Sequence, residues 1–305
     1  MLHRIPTVCA AVALIVTPLW LFGTNPAVAR AHPLLPGLLV ASIVLGLVLS
    51  WLTARTWRRP PRPGRRRPVL ASLAALLAIG SMAALAWVAP FPAMDGEGTV
   101  VREFGLAGVD YEEDATSITL TPVTGSSHGL VFYPGARVEA LAYVPVLARV
   151  AQEGTTVVVL KEPLGISLLH SRQARSAMDA NPGIPVWAVG GHSLGGVSAS
   201  IVASEADDVD GLVLWASYPL GDLSGSDLEV ISVSGSEDGL TTRADIEASR
   251  ARLPSGTLFT EVPGAVHAFF GDYGDQPGDG VATTGRPEAQ EAIVEATVQF
   301  MASLE

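Results

Sequence analysis

The chain has 305 residues, 49% of them hydrophobic and only 16% charged, with a formal net charge of −11 and a mean hydropathy of +0.37. That length holds one or two domains, and that hydropathy is high for a chain lying wholly in water. Its single cysteine, Cys9, excludes an intrachain disulfide, a zinc-thiolate site and dithiol redox chemistry.

The apolar excess is confined to the first 90 residues, in stretches 5–22, 34–52 and 69–89. The second and third are uncharged and long enough to cross a hydrocarbon core of about 30 Å as helices. Trp20, Trp51, Trp57 and Trp87 stand near their ends, where amphipathic rings favour the membrane interface. A buried helical subdomain is the alternative. No acidic residue occurs in the first 90 positions, whereas seven arginines, Arg55, Arg58, Arg59, Arg62, Arg65, Arg66 and Arg67, separate the second stretch from the third. A basic loop between spans stays on the cytoplasmic side, so the third stretch runs outward and everything after Pro90 is extracytoplasmic. The same loop could bind nucleic acid, but its place between two spans makes it a topology signal. The first stretch reads either as a third span or as a signal peptide, with Arg4 before it and Ala27-Val28-Ala29 after it. Pro18 and Trp20 interrupt that apolar region, and Cys9 lies in no lipobox. The expected organisation is a membrane segment over 1–90 with two or three spans, a linker over 91–98 and a folded domain over 99–305. Residues 91–305 hold all 30 acidic residues and only 10 basic ones. Such a surface repels nucleic acid and anionic headgroups, and serves solubility equally well.

Along the domain, 100–104 and 117–121 read as leading strands separated by an acidic turn over 110–114. Strands are then expected at 129–133, 155–160, 186–189, 211–216, 228–233 and 258–262. Helices are expected at 138–152, 167–179, 241–252, capped by Thr241 or Thr242, and 288–304, with a further helix opening at Gly195. Such alternation predicts a mostly parallel sheet covered on both faces by helices. Only 217–227 separates two core strands where a lid would be inserted, which predicts an open, shallow pocket with no lid domain.

Three segments carry chemistry. Gly190-Gly191-His192-Ser193-Leu194-Gly195-Gly196 directly follows the apolar run 186–189. A serine on a sharp strand-to-helix turn needs small residues two places before and after it, and Gly191 and Gly195 occupy those places. The bare pattern is weak in a chain with 31 glycines. Its context strengthens it. Gly235-Ser236-Glu237-Asp238-Gly239 ends one later strand with an acid in a glycine-flanked turn, and His267 follows the last strand. Asp238 competes with Glu237 as the acid, and His267 competes with His128, His170 and His192 as the base. His128 and His170 precede the serine, and His192 lies inside the turn itself.

The order Ser, Asp, His along the chain is that of the α/β-hydrolases. The region 129–300 resembles the fold-five branch of that superfamily, related in character to dienelactone hydrolases. The resemblance is carried by Phe132-Tyr133-Pro134-Gly135, by the segments around Ser193 and Asp238, and by His267 with Phe270-Gly271-Asp272-Tyr273-Gly274 and Gln276-Pro277-Gly278-Asp279-Gly280. It implies an α/β-hydrolase fold, with Ser193 as nucleophile, Asp238 as acid and His267 as base. The backbone N–H of Leu194 and one from Gly135 or Ala136 would form the oxyanion hole. It implies no cofactor and an ester or related acyl substrate. Two departures matter. Ala136 stands where relatives commonly have glycine, which strains the loop if that position needs a positive φ. Asp275 stands where proline is common.

Lys161 and Tyr218 are candidates for the substrate pocket, as are Glu162 and His170, because ligands of open α/β sheets sit beyond the strands' carboxyl ends. A structural ion pair serves Lys161 equally well. Asp272, Asp275 and Asp279 fit no calcium-loop spacing, so no metal is expected. The function implied is a membrane-tethered, extracytoplasmic serine hydrolase acting on carboxylic esters. The rival is a catalytically silent domain serving as a binding or sensor module.

Overall fold

The computed structural model describes residues 4–56, 66–94 and 107–305, with the side chains of 66–68 excepted. The expected strand over 100–104 lies outside the described residues. Two compact units divide the chain at Pro90.

In the first unit, α1 (Ile5–Thr24), the short α2 (Ala27–Arg30), α3 (Leu34–Thr56) and α4 (Arg66–Trp87) follow one another. Three of these helices, α1, α3 and α4, are long and apolar enough to cross a membrane. α1 packs on both α3 and α4, burying Ala10, Ala11, Leu14 and Leu21. Ser42 on α3 satisfies its hydroxyl on the carbonyls of Leu39 at 2.7 Å and Leu14 at 3.3 Å. Apolar side chains elsewhere on these helices, such as Trp20, Leu76 and Leu77, face outward, as surfaces adapted to lipid do.

The second unit, Phe91–Glu305, has eight strands among its described residues: β1 (Val109–Glu113), β2 (Ser117–Pro122), β3 (His128–Tyr133), β4 (Thr155–Leu160), β5 (Val186–His192), β6 (Gly211–Trp215), β7 (Glu229–Gly235) and β8 (Leu258–Val262). Their order in the sheet is β1-β2-β4-β3-β5-β6-β7-β8. β1 and β2 join antiparallel and the others run parallel. All residues of β4 and β6 are buried, because helices cover both faces of the sheet. One core layer joins Leu130, Phe132, Val157, Val159 and Trp215 to α5 (Val144–Gln152) and α9 (Arg286–Ser303). The other joins Val131, Tyr133, Val189 and Leu214 to α6 (Gln173–Asp179) and α7 (Leu194–Glu205). From β3 the chain winds to β4 on one side and then returns to β5 on the other. This reversal opens a crevice between the carboxyl ends of β3 and β5.

The structure corrects several sequence expectations. The acidic segment 110–114 is not a turn but most of β1, an edge strand, where charged side chains can point to water and deter further pairing. The helix expected over 138–152 starts only at Val144, after a 3₁₀ turn, Ala140–Tyr143. Pro145 near its start fits a first turn, where its missing N–H leaves nothing unsatisfied. Likewise 167–179 begins with the 3₁₀ turn Ser167–Leu169, and α6 starts at Gln173. Of the expected linker, Phe91 and Ala93 are bridged to Val138 and Tyr273, and the Ala93 N–H is accepted by the buried Glu139 carboxylate at 2.9 Å. These residues belong to the second unit. Thr242 caps α8 (Arg243–Ser249) in a reciprocal box with Asp245. Residues 216–228 connect β6 to β7 without helix or strand.

Candidate active site

β5 ends at His192, and Ser193 turns the chain into α7 with φ 54° and ψ −122°. A non-glycine residue held there stores about 1–3 kcal/mol of strain and persists only when its surroundings over-determine it. Here they do. The Ser193 N–H is held by the Trp215 carbonyl at 2.9 Å, and the Ser193 carbonyl accepts the Ser217 hydroxyl at 2.7 Å. A Cβ on Gly195 would lie 2.1 Å from the Tyr133 carbonyl oxygen, and one on Gly191 would lie 2.4 Å from the Gly195 backbone. The close approach of turn to strand is therefore open to glycine alone at both places.

After β7 the chain delivers Asp238, whose side chain is fully buried. One oxygen accepts the Leu240 and Thr241 N–H groups at 2.8 and 2.7 Å, and the other meets His267 Nδ1 at 2.8 Å. Glu237 is exposed, so of the two candidate acids the structure pairs only Asp238 with His267. His267 opens the 3₁₀ turn His267–Phe270, fully buried. Its ring centroid lies 4.4 Å from that of His192, the neighbour of Ser193. Arg286 fixes this loop by donating to the carbonyls of Ala268, Gly271 and Tyr273. The structure therefore brings Asp238 and His267 into contact. Among the described residues His267 Nε2 has no hydrogen-bond partner, so the Ser193–His267 link is not closed. Such links are often open before substrate binds.

The other side of the crevice is the loop after β3. Tyr143 Oη accepts the Gly135 N–H at 2.9 Å and reaches His192 Nδ1 at 2.8 Å. Burial, and next the adjacent His267, hold the His192 pKa well below the ordinary histidine value. A neutral His192 whose Nδ1 accepts the Tyr143 O–H is the pairing this favours. Burial likewise pushes the Tyr143 phenol well up, with neighbouring Tyr273 adding to it. The Arg137 N–H goes to the Gly165 carbonyl at 2.7 Å and the Val138 N–H to Gly135 at 2.9 Å. Gly135, a candidate oxyanion donor from sequence, has thus spent its N–H on Tyr143. Among the described residues, Ala136 has not, and neither has Leu194 at the start of α7, where the first N–H groups lack intrahelical acceptors. The left-handed position is also displaced from expectation. It is Arg137, at φ 62°, and not Ala136.

The Lys161 side chain is engaged at the β1 side of the sheet. Its ammonium bonds Glu113 at 2.7 Å and the Asp114 carbonyl at 2.6 Å, tying β4 to the β1–β2 edge. Tyr218 follows Ser217 beside the nucleophile turn, half-exposed, with the Arg252 guanidinium 5.7 Å above its ring. His170 is exposed. Glu162 is buried, and burial raises its carboxyl well above the usual range. Sequence reasoning passed over Tyr143, which lies in an apolar helical segment with no motif around it. It also set His192 aside as part of the turn itself. The one available signal for His192 was a polar ring among glycines at a packed turn.

The alpha/beta hydrolase family model matches residues 129–291. Among solved structures, a CIB-like hydrolase from Thermoplasma acidophilum shares the fold, with 20% identity and a TM-score of 0.51 over 65% of this chain and all of the other. A dienelactone hydrolase from Anabaena variabilis aligns over the same shares with 17% identity and a TM-score of 0.48. No curated protein matches.

Proposed function

Since this chain belongs to the alpha/beta hydrolase family, we propose that it is a membrane-tethered serine hydrolase that cleaves carboxylic esters through an acyl-enzyme. The observation that carries this reading is the fully buried Asp238–His267 pair at the same sheet edge as the strained turn of Ser193.

In this reading Ser193 Oγ attacks the acyl carbonyl and passes its proton to His267 Nε2. Asp238 keeps the proton on Nδ1 and stabilises the imidazolium that forms. The Leu194 and Ala136 N–H groups receive the developing oxyanion. His267 then gives its proton to the leaving alcohol, and the same groups activate water to release the acid. The rival reading, a silent binding domain, drew on strain at Ala136, and the left-handed residue is instead Arg137. The missing lid supports an open site that admits small esters.

Three apolar helices and the arginine-rich segment between the second and third support a membrane anchor with the catalytic unit outside the cytoplasm. The packing of α1 into the helical unit supports its retention as a span. Protease added to intact cells is then expected to separate the catalytic unit from the helices. Protection until lysis would place it inside.

The full-length protein, offered p-nitrophenyl esters of increasing acyl length, is expected to hydrolyse the short ones. Ser193→Ala should abolish that turnover while leaving the melting temperature unchanged. Full turnover in that variant would remove Ser193 from the mechanism.

A further inference from the structure

The segment Gln276-Pro277-Gly278-Asp279-Gly280 follows the histidine loop and takes no part in the chemistry above. Its carboxylate is nonetheless the meeting point of both loops that deliver the charge pair. Asp279 Oδ1 accepts the N–H groups of Gly239 at 3.2 Å, His267 at 3.1 Å and Gly280 at 2.7 Å, and Oδ2 accepts that of Ala268 at 2.9 Å. Gly239 immediately follows Asp238. One half-buried side chain thus holds the backbone of the base, of the residue after the base and of the residue after the acid. The two segments also touch backbone to backbone: a Cβ on Gly280 would lie 1.8 Å from the Glu237 carbonyl oxygen. With four N–H donors around it, this carboxylate faces backbone dipoles where a bound cation would need free lone pairs.

We infer that Asp279 is a positioning residue that sets His267 against Asp238 by clasping their two loops together. The inference rests on the hydrolase reading for its effect on rate, but its geometric part stands apart from that reading. Asp238 and His267 are joined by one 2.8 Å bond between side chains on separate loops, so that bond is only as well placed as the loops are. Losing the clasp should leave the fold intact, since Arg286 still holds the histidine loop through its carbonyls. It should misplace the imidazole, and misplacement near 1 Å costs about 100-fold in rate.

The test compares the full-length parent, Asp279→Ala and Asp279→Asn in detergent, by two readouts. The first is the time course of labelling by a fluorophosphonate, which gives the fraction of competent sites from its endpoint and the rate per site from its slope. The second is the low-field proton resonance of His267 Nδ1–H, assigned by its loss in His267→Gln. Asp279→Ala should reach the parent's endpoint about 10- to 100-fold more slowly per site, with the resonance displaced. Asp279→Asn should fall between, because its oxygen keeps the Oδ1 contacts while its amide opposes the Ala268 N–H. A lower endpoint with the parent's rate per site would reveal a purely structural role and overturn the inference. So would a parental rate and resonance in folded Asp279→Ala, or in Asp279→Asn if the alanine variant does not fold. A parent that never labels, with the resonance still displaced in Asp279→Ala, would sink the hydrolase reading and uphold the clasp. No labelling with an unmoved resonance would sink both.

Discussion

The two walls of the crevice between β3 and β5 are built on different principles. On the β5–β8 side, Ser193 and Asp238 are placed by main-chain contacts, the Trp215 carbonyl and the Leu240 and Thr241 N–H groups, and a single carboxylate, that of Asp279, holds the backbone of His267. On the β3–β4 side the loop after β3 leans on the buried Tyr143 beneath Gly135, Glu139 holds the Ala93 N–H, and burial raises the Glu162 carboxyl well above its usual range. Main-chain contacts tolerate almost no substitution, because the glycines that allow them cannot be replaced. Buried side-chain contacts depend on single hydroxyls and carboxyls, and each is a point where the wall can be loosened without dismantling it.

The sharpest contrast is expected from Asp238→Asn. The substitution keeps the shape of the first wall but favours the wrong imidazole tautomer, and should lower kcat by about 10⁴-fold, as in the general serine triad. Steady-state kinetics on full-length protein, with melting temperature as control, checks this. If Glu237→Gln is the more damaging change, the acid has been misassigned.

On the second wall the effect should be smaller. Tyr143→Phe leaves the Gly135 N–H and His192 Nδ1 without their shared partner, which costs about 1–3 kcal/mol of stability as buried polar groups go unsatisfied. It should also loosen Ala136 and lower kcat by about tenfold, with KM little changed, since an oxyanion donor matters most in the transition state. A loss as large as that of Asp238→Asn would mean that the two walls are not distinct.

The smallest effect belongs to Glu162, and it depends on pH. Burial raises its carboxyl well above the ordinary value in the folded state, whereas in the unfolded chain it ionises near that value. Above that ordinary value the folded state binds the extra proton, so stability falls with rising pH by up to about 1.4 kcal/mol per unit until the folded value is reached. Glu162→Gln removes this slope. Chemical denaturation from pH 5 to 8 should show the variant gaining on the parent as pH rises, and a constant difference would contradict a protonated Glu162.

This division also governs what could be read from the sequence. Gly191, Gly195 and the Asp238-Gly239 turn are visible because close main-chain approach restricts residue type, and the order of serine, acid and base follows the strand order. What sets Asp238 apart from Glu237 came only from the structure, which buries Asp238 and joins it to His267 while Glu237 stays exposed. The second wall left little trace. Tyr143 sits in a segment patterned as a continuous helix, yet tertiary contacts turn it into a 3₁₀ start that aims its hydroxyl at Gly135. Lys161 stands at a strand's carboxyl end, as a pocket residue would, but β1, mistaken for a turn, supplies the Glu113 that takes it away. Arg137 carries the left-handed φ because the Gly165 carbonyl fixes its N–H, and no local pattern encodes that partner.

The central claim is that Ser193 is the nucleophile, and mass mapping of the covalent adduct tests it most directly. Full-length protein in membranes, treated with a fluorophosphonate and digested, should carry the modification on the peptide containing Ser193, at that residue, and Ser193→Ala should carry none. An adduct on another residue, or none in the folded parent, would contradict the account.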